Sequence, residues 1–440
     1  MTSSDDVLAN LRQLHPSLID LSLGRTYRAL EALGRPQDRL PPIIHIAGTN
    51  GKGSTLAYLN ALITAAGKTA HSFISPHLVS FHERIRLAGQ NGSANISEKQ
   101  LIDVLTRVEA ANDGAPITFF EITMVAAFLA YTEHAADYLI LETGLGGRFD
   151  ATNVIEKPEL TIITPISMDH MDFLGSSLAE IAFEKAGIMK QGVPCICGAQ
   201  PREVSDVLKK QALELDVPLT MEGEDFKAYE QLGRLIYEDD ARLLALPLPR
   251  LVGSHQINNA GVSVAAALRL PGFDPTQEEM EAAMRQVQWP ARLQLLESDR
   301  LVEKISINPE SEIWLDGGHN RAAAEVLAAS MADLEEQVSR PLHIVIGMMQ
   351  RKNADEFLQI FEGLCEMVFT VPVPSSGNGW DPEELADIAK KRGLRAMHCN
   401  SVIEALDASG ERARNLGDEP VRILICGSLY LAGHVLEISQ

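Results

Sequence analysis

The stretch 45-HIAGTNGKGS-54 joins an apolar run to a helical pattern. The run before it, IIHIAG at 43–48, is short, apolar and ends in glycine, which is typical of a buried strand. Apolar residues then recur at helical spacing, namely Leu56, Leu59, Leu62, Ile63 and Ala66. The stretch is therefore predicted to be a glycine-rich loop between a strand and a helix.

Two further strand-like runs end in unusual polar loops. YLILE at 138–142 leads into TGLGGRFDATN, and LTIITPI at 160–166 leads into SMDHMD. The alternation of strand-like and helical patterns predicts an α/β protein with largely parallel sheets. Because open α/β sheets bind ligands at the carboxyl ends of their strands, three such loops favour one shared site.

The chain is predicted to contain two domains. We expect an N-terminal P-loop ATPase domain with a mostly parallel sheet at 1–297, and a smaller Rossmann-like α/β domain at 298–440, because a second series of strand-like runs begins near residue 300. The charged, proline-punctuated segment at 222–250 is predicted to form a hairpin or excursion of the first domain.

The composition excludes several classes of function. The 440 residues include 60 acidic and 38 basic side chains, and the formal net charge is −22. Such a surface repels nucleic acid and anionic membrane, so neither is an expected partner. The five cysteines form no C-x-x-C pair and are interpreted as reduced thiols of a cytoplasmic protein. The acidic N-terminus lacks the apolar run of a signal peptide, and no apolar stretch is long enough to span a membrane.

The loop at 45–54 has the chemistry of a phosphate-binding loop. Its backbone N–H groups and the start of the following helix attract phosphate oxygens, Lys52 can reach the outer phosphates, and the Ser54 hydroxyl can face magnesium. The common pattern G-x-x-x-x-G-K-[ST] does not fit, because Gly48 and Gly51 are too close together and Gly53 separates Lys52 from Ser54. The alternative is a glycine-rich turn with an exposed lysine.

Several motifs resemble the Mur ligase superfamily, and most closely its folylpolyglutamate synthases and dihydrofolate synthases. They follow in order along nearly the whole chain: GTNGKGS (48–54), SPHL (75–78), FHERIRL (81–87), ETGLGGRFDATN (142–153), SMDHMDFLG (167–175), EKAGIMK (184–190), WPARLQ (289–294), DGGHN (316–320) and GSLYLAG (427–433). Each motif alone is weak, and together they are specific.

The resemblance implies an ATP-dependent ligase that joins a carboxylate to the amine of glutamate through an acyl phosphate. A carboxylate repels an amine, and phosphorylation supplies a leaving group, so charge neutralisation and positioning must provide most of the rate. The resemblance makes Ser75, Glu142 and His170 ligands of Mg²⁺. From the residues alone, Glu142 could equally be a capping or surface residue, and His170 a hydrogen-bonded loop residue.

The resemblance also implies that Lys185 is carbamylated and is catalytic together with His170 and Lys52. A carbamate turns a cation into an anion that helps to place magnesium. Without the resemblance, IAFEKAGIMK would indicate an amphipathic helix end with a salt-bridged surface lysine.

The acceptor site and the nucleotide site are implied in the same way. Thr118, Phe120, Asp150 and Arg84 are expected to contact the pterin substrate. Alternatively, Phe119 and Phe120 are core residues, Thr118 is a helix cap with Glu121 behind it, and Asp150 is a turn residue held by its own backbone. The expected nucleotide contacts are Gly48, Thr49, Asn50, Gly51, Lys52, Gly53, Ser54, Asn259, Arg292, Asp316 and His319.

We therefore predict that the enzyme uses ATP and Mg²⁺ to add L-glutamate to dihydropteroate and to reduced folates, and that it is a monomer. The C-terminal domain is expected to bind glutamate. Three alternatives stay open: a synthase limited to polyglutamylation, a cell-wall Mur ligase, and a P-loop NTPase that acts as a switch. The cell-wall ligase is disfavoured by SPHLVSFHERIRL and by the roughly 40 residues before the first strand, in which no clear extra domain is expected.

Overall fold

The structure, a computed structural model, describes residues 3–15, 22–89, 92–296, 301, 305–374 and 377–439. Its contacts divide the chain into two compact units. The first comprises Met1–Pro76, Ser80–Arg250 and Ile257–Val287, and the second comprises His77–Val79, Leu251–Gln256 and Gln288–Gln440. The boundary predicted at 297–298 lies outside the described residues.

An eight-stranded sheet organises the described part of the first unit. Its strands are β1 (Ile43–Ala47), β2 (Ala70–Phe73), β3 (Ile85–Leu87), β4 (Ala94–Asn95), β5 (Tyr138–Glu142), β6 (Leu160–Ile163), β7 (Cys195–Cys197) and β8 (Leu219–Met221). Their spatial order is β4-β3-β2-β5-β1-β6-β7-β8. Strands β2, β5, β1, β6, β7 and β8 run parallel, whereas β3 pairs antiparallel with both β2 and β4.

The central strands are continuous apolar runs because both faces of the sheet are covered. Every residue of β1 and of β5 is buried, as a parallel sheet between helices requires. In register, Ile46 of β1 faces Glu142 of β5 and Ala47 of β1 faces Ile163 of β6. The carboxyl ends of these three strands therefore lie side by side, as the polar loops predicted.

Helices pack around this sheet, and several of them begin at a residue whose side chain caps the first turn. Their ranges in the first unit are Ser4–Leu14, Gly24–Ala32, Lys52–Ala65, Glu98–Asn112, Phe119–Thr132, Met171–Leu174, Leu178–Ala186, Arg202–Glu214, Gln277–Gln286 and, from Ile257 onward, Ser254–Ala267. Short 3-10 helices span Pro36–Arg39, Phe81–Arg84 and Ala151–Val154. The capping boxes of Ser97, Thr118, Ser177 and Thr276 satisfy backbone donors that would otherwise be unpaired.

The segment predicted as an excursion is an antiparallel three-stranded sheet. Its strands β9 (Phe226–Gln231), β10 (Arg234–Asp239) and β11 (Leu243–Pro247) have the order β11-β10-β9. The prediction is confirmed, because the connections at 232–233 and 240–242 are short enough for hairpins and too short for parallel crossovers.

The second unit contains a six-stranded sheet of the order β12-β13-β17-β14-β15-β16. Its strands are β12 (Gln294–Leu295), β13 (Glu312–Leu315), β14 (Leu342–Ile346), β15 (Met367–Thr370), β16 (Ala396–His398) and β17 (Arg422–Cys426). All neighbouring pairs are parallel except β12 with β13. The described helices are Arg321–Gln337, Ala354–Gln359, Pro382–Lys391, Val402–Asn415 and Leu429–Ile438. The predicted α/β class is confirmed for both units.

Two structural findings concern the cysteines and the membrane spans considered in the sequence analysis. The cysteines, Cys195, Cys197, Cys365, Cys399 and Cys426, are free thiols. Among the helices that the structure describes, none combines the length and the apolar character needed to cross a bilayer.

A buried arginine joins the sheet of the second unit to one of its helices. The side chain of Arg422 on β17 is 2% exposed. Its Nε donates to Glu312 Oε2 at 2.8 Å, and its Nη1 donates to Glu335 Oε2 at 3.4 Å. Its Nη2 donates to the carbonyls of Leu334 and Val338, at 3.3 and 3.1 Å, where the helix Arg321–Gln337 ends. The guanidinium thus adds donors at the C-terminal end of this helix, where the Val338 carbonyl lies beyond the last turn and the Leu334 carbonyl also accepts from the Val338 N–H.

Replacing this arginine is expected to destabilise the second unit strongly. Arg422→Met should lower the free energy of unfolding by about 2–3 kcal/mol, because the Val338 carbonyl loses its donor and the partly buried Glu312 carboxylate keeps only Arg340 and Trp314 as partners. All three tryptophans, Trp289, Trp314 and Trp380, belong to this unit, so tryptophan fluorescence during urea unfolding measures the effect. The control is Arg321→Met, whose half-exposed ion pair with Glu325 should be worth less than about 1 kcal/mol. Equal losses in both variants would contradict the assignment.

Candidate active site

The predicted phosphate loop follows β1 directly. Gly48 has φ 152° and Gly51 has φ 89°, and Gly51 caps the helix Lys52–Ala65. The N–H groups of Thr49 and Asn50 donate to the carbonyl of Pro165, at 3.0 and 3.3 Å. The loop is therefore a strand-to-helix turn bound to the segment that follows β6, and its lysine, Lys52, is not the exposed residue of the alternative interpretation, because its side chain is 16% exposed.

Gly48 is a glycine because another chain segment lies against it. A Cβ at this position would lie 1.8 Å from Thr164 Oγ1 and 2.9 Å from the Thr164 carbonyl oxygen. No side chain fits there without displacing the backbone. A second contact fastens the same segments, since Thr49 Oγ1 donates to the Ser167 carbonyl and accepts from the Ser167 N–H, both at 3.1 Å.

Lys52 lies between the loop and a buried carboxylate. Its Nζ donates to the carbonyls of Gly48 and Thr49, at 3.1 and 3.3 Å, and is 3.9 Å from Glu142 Oε1. Glu142 is the last residue of β5, and its side chain is 8% exposed. The interpretation of Glu142 as a surface residue is wrong. Gly53 and Ser54 are buried in the first turn of the helix that Lys52 begins.

Lys185 is buried beside the same loop. It lies on the helix Leu178–Ala186, is 5% exposed, and its Nζ donates to the Gly48 carbonyl at 2.8 Å. Burial, reinforced by the nearby charge of Lys52, lowers the pKa of Lys185 to about 7. The interpretation as a salt-bridged surface lysine is wrong. The four-residue spacing from the buried Ile181 could have indicated that Lys185 faces inward.

The three predicted metal ligands all follow the carboxyl ends of strands. Ser75 comes two residues after β2, Glu142 ends β5, and His170 lies in the segment after β6. His170 has φ 52° and a side chain that is 45% exposed, and it precedes the short helix Met171–Leu174. The carboxylate and hydroxyl oxygens of this set are donors that suit Mg²⁺. Within the described ranges no group of three or more His, Cys, Asp or Glu is assembled for a metal, so the set depends on its serine.

Thr118 caps a helix as the sequence predicted. Its N–H donates to Glu121 Oε2 at 2.7 Å, and the Glu121 N–H donates to Thr118 Oγ1 at 3.2 Å. Arg25 binds the same carboxylate through Nε and Nη2, at 3.0 and 2.9 Å. Phe120 follows on this helix, partly buried, with its ring edge-on to Phe73 at 6.1 Å. Pterin contact by Thr118 and Phe120 stays a prediction.

Two other residues expected at the acceptor site are engaged within the first unit. The guanidinium of Arg84 lies over the ring of Phe81, 5.2 Å from its centroid. Asp150 is 4% exposed, and its Oδ2 accepts from the N–H groups of Gly144 and Leu145 at 2.9 and 2.8 Å. This is the arrangement expected of a turn residue, and contact of Asp150 with pterin stays a prediction.

The remaining expected nucleotide contacts divide between the units. Asn259 belongs to the first unit and is 5% exposed, and a Cβ at Gly51 would lie 2.6 Å from its Oδ1. The structure thus brings Asn259 to the phosphate loop.

Arg292, Asp316 and His319 cluster in the second unit. Asp316 Oδ2 accepts from the Leu293 N–H at 2.8 Å, and the Arg292 charge partly offsets the rise in the pKa of Asp316 that burial causes. His319 Nδ1 is hydrogen-bonded to the Gly317 carbonyl at 2.9 Å. Their nucleotide contacts stay predictions.

Sequence reasoning missed the residues that shape the loop from the β6 side. Thr164 and Pro165 contact Gly48, Thr49 and Asn50, and the charge of Asp169 raises the pKa of Lys185 against the effect of burial. Their position just after LTII was the available signal, because strand-end residues of adjacent parallel strands meet.

Known proteins resemble the chain over nearly its full length. Residues 46–267 match the family model of the Mur ligase middle domain, and residues 301–438 match that of the dihydrofolate synthetase C-terminal domain. A dihydrofolate synthase/folylpolyglutamate synthase of Bacillus subtilis is 35% identical over 94% of this chain and 94% of its own.

Two solved structures share the fold. Escherichia coli FolC in complex with DHPP and ADP superposes with a TM-score of 0.86 at 29% identity and covers 99% of this chain and 97% of its own. A bifunctional folylpolyglutamate synthase/dihydrofolate synthase with Mn, AMPPNP and L-glutamate bound has a TM-score of 0.82 at 27% identity and covers 99% and 98%.

A methyl group at Gly48 should disrupt the phosphate loop. We expect Gly48→Ala to weaken Mg-ADP binding at least about tenfold, because the Cβ must displace Thr164 and the loop that it supports. Titration calorimetry measures the affinity. Gly24→Ala is the matched control, since nothing lies within 4 Å of its added Cβ. Equal affinity of the two variants would contradict the role of the close approach.

Proposed function

We propose that this chain, which belongs to the dihydrofolate synthase/folylpolyglutamate synthase family of Mur ligases, adds L-glutamate to dihydropteroate and to reduced folates. The reaction would consume ATP. One observation carries the proposal. The phosphate loop lies between the buried carboxylate of Glu142 and the buried amine of Lys185, so a site for phosphate charge adjoins groups suited to metal-assisted chemistry. The match of residues 301–438 favours folate chemistry over cell-wall ligation.

The loop residues bind and orient the phosphates of ATP. Lys52 is placed to neutralise charge on the transferred phosphate, because its ammonium lies against the loop carbonyls and beside Glu142. The acceptor carboxylate attacks this phosphate and becomes an acyl phosphate, ADP leaves, and the amine of glutamate then displaces phosphate to form the amide. Ser75, Glu142 and His170 would hold Mg²⁺, which neutralises phosphate charge when it is bound.

Lys185 is proposed to carry a carbamate. An amine adds to CO₂ only when it is neutral, and the pKa of about 7 leaves a large neutral fraction at physiological pH. The reaction forms an N–C bond and releases one proton, so the product is an anion beside the positive charge of Lys52. Its formation would replace a repulsion between two cations with an attraction.

The acceptor and nucleotide contacts extend the proposal. Thr118, Phe120, Asp150 and Arg84 are proposed to border the pterin, and Asn259 to contact the nucleotide with Gly48–Ser54. Arg292, Asp316 and His319 are proposed to contact ATP from the second unit, which is also proposed to bind glutamate. We further propose that the protein is a cytoplasmic monomer.

Phosphate release from Mg-ATP tests the activity. With L-glutamate present, release is expected with either dihydropteroate or tetrahydrofolate, because one acceptor site serves both, and mass spectrometry should detect each glutamylated product. Omission of glutamate is the control. Release with tetrahydrofolate alone would reduce the enzyme to a polyglutamylating synthase and remove the argument for the pterin role of Asp150. Release with neither acceptor would contradict the folate function.

Loss of the Lys185 amine should abolish carbamate and activity together. We expect Lys185→Ala to lower kcat at least about a hundredfold, and acetate to restore part of it by supplying an anion in the vacated space. In wild type, ¹³C-labelled bicarbonate should give a carbamate resonance that strengthens as the pH rises through about 7, because the neutral amine is the nucleophile. A labelled signal in Lys185→Ala, or none in wild type, would refute the modification.

A further inference from the structure

A buried chain of three side chains connects β1 to the loop after β5. His45 Nε2 lies 2.9 Å from Thr152 Oγ1, and the Thr152 hydroxyl donates to Asp150 Oδ1 at 2.5 Å. His45 and Thr152 are 0% exposed and Asp150 is 4% exposed. His45 precedes the phosphate loop by three residues, and Asp150 lies in the loop that follows Glu142. The series of hydrogen bonds therefore connects the phosphate loop with the loop after β5.

The hydrogen-bond partners determine the direction of this chain. Asp150 Oδ1 also accepts from the Thr152 N–H at 3.0 Å, and Oδ2 accepts from the N–H groups of Gly144 and Leu145. Backbone N–H groups only donate, so the carboxylate is an acceptor throughout and accepts the hydrogen bond of the Thr152 hydroxyl. The Thr152 oxygen must then accept from His45 Nε2–H.

The resulting tautomer agrees with the surroundings of His45. Its Nδ1 then carries only a lone pair, and this buried atom has no hydrogen-bond partner among the residues that the structure describes. Burial, together with the charge of Lys190, lowers the pKa of His45 to about 3, so the ring is neutral. In this arrangement His45 Nε2–H donates to the Thr152 oxygen and the Thr152 hydroxyl donates to the Asp150 carboxylate, so each donor has an acceptor.

The loop held by Asp150 touches three parts of the proposed site. It begins directly after Glu142. A Cβ at Gly144 would lie 2.4 Å from Phe120 Cζ, and a Cβ at Gly147 would lie 2.8 Å from the Lys185 carbonyl oxygen. A shift of this loop would therefore move Phe120 or the Lys185 helix, whereas Glu142 is fixed by its pairing with β1.

We propose that His45 and Thr152 are positioning residues of the ligase, which act through Asp150 to hold the 143–149 loop in the arrangement that the reaction needs. The proposal rests on the proposed function and extends it, since neither residue was a candidate. Thr152 is inaccessible, so it cannot contact a substrate. Nucleotide binding should be insensitive to the chain, because separate bonds from Pro165 and Ser167 hold the phosphate loop.

Isosteric variants at Thr152 test the proposal. Thr152→Val removes the hydroxyl and should lower kcat about tenfold with both acceptors while leaving the Kd for Mg-ADP within about twofold. Thr152→Ser keeps the hydroxyl and should restore most of kcat. Thr161→Val is the matched control, since it also deletes a buried hydroxyl of the first unit, one that donates to the Pro194 carbonyl at 3.3 Å.

A second pair of variants addresses the other end of the chain. His45→Gln retains a donor at the position of Nε2 and should keep more activity than His45→Leu, which has none. In wild type labelled with ¹⁵N-histidine, NMR should show His45 as the Nε2–H tautomer with Nδ1 unprotonated. The opposite tautomer would overturn the proposed direction.

Hydrogen exchange supplies a test that does not need activity. Mass spectrometry should show faster amide exchange of the 143–149 loop in Thr152→Val and wild-type exchange in Thr161→Val. Unchanged exchange, unchanged kcat, or equal losses in Thr152→Ser and Thr152→Val would overturn the proposal. The wild type could be inactive while the loop of Thr152→Val still exchanges faster. That result would refute the ligase function and the catalytic part of the proposal, and only the stabilisation of the loop by Thr152 would stand.

Discussion

The carbonyl oxygen of Gly48 accepts hydrogen bonds from two lysine side chains, and the candidate site is arranged around this contact. Lys52 Nζ and Lys185 Nζ lie 3.1 and 2.8 Å from it. The contact exists because Gly48 lies close against Thr164, which places the loop between the carboxyl ends of β5 and β6. Burial and the repulsion from Lys52 then lower the pKa of Lys185, so its amine is a weaker base than that of an ordinary lysine and can react in its neutral form.

The positive charge of this loop contrasts with the rest of the chain. A protein with a net charge of −22 repels anions in general, so ATP, glutamate and folates need a local cationic site. Lys52 and the helix that it begins provide one, and Glu142 at 3.9 Å limits its excess charge.

Rigidity in this region comes from backbone donors around a buried carboxylate. Asp150 accepts three N–H groups and one hydroxyl, and such a fully satisfied network is stiff because each bond polarises the next. The same network explains why a residue expected at the substrate by resemblance has its carboxylate oriented into its own loop. A loop so held limits the movement of Phe120 and of the Lys185 helix, which lie against it.

The sequence by itself determined the class of the fold and the position of the glycine-rich loop between a strand and a helix. Continuous apolar runs such as YLILE, the Thr118 cap and the glycine pattern at 48–54 are local features, and local physics suffices to interpret them. Only the tertiary structure decided that Lys185 is buried and that the Asp150 carboxylate is hydrogen-bonded within its own loop. It also decided that His45 is hydrogen-bonded to Thr152, 107 residues away. These contacts depend on the strand order β2-β5-β1-β6, which periodicity does not encode, because an apolar run is compatible with any neighbour in a sheet.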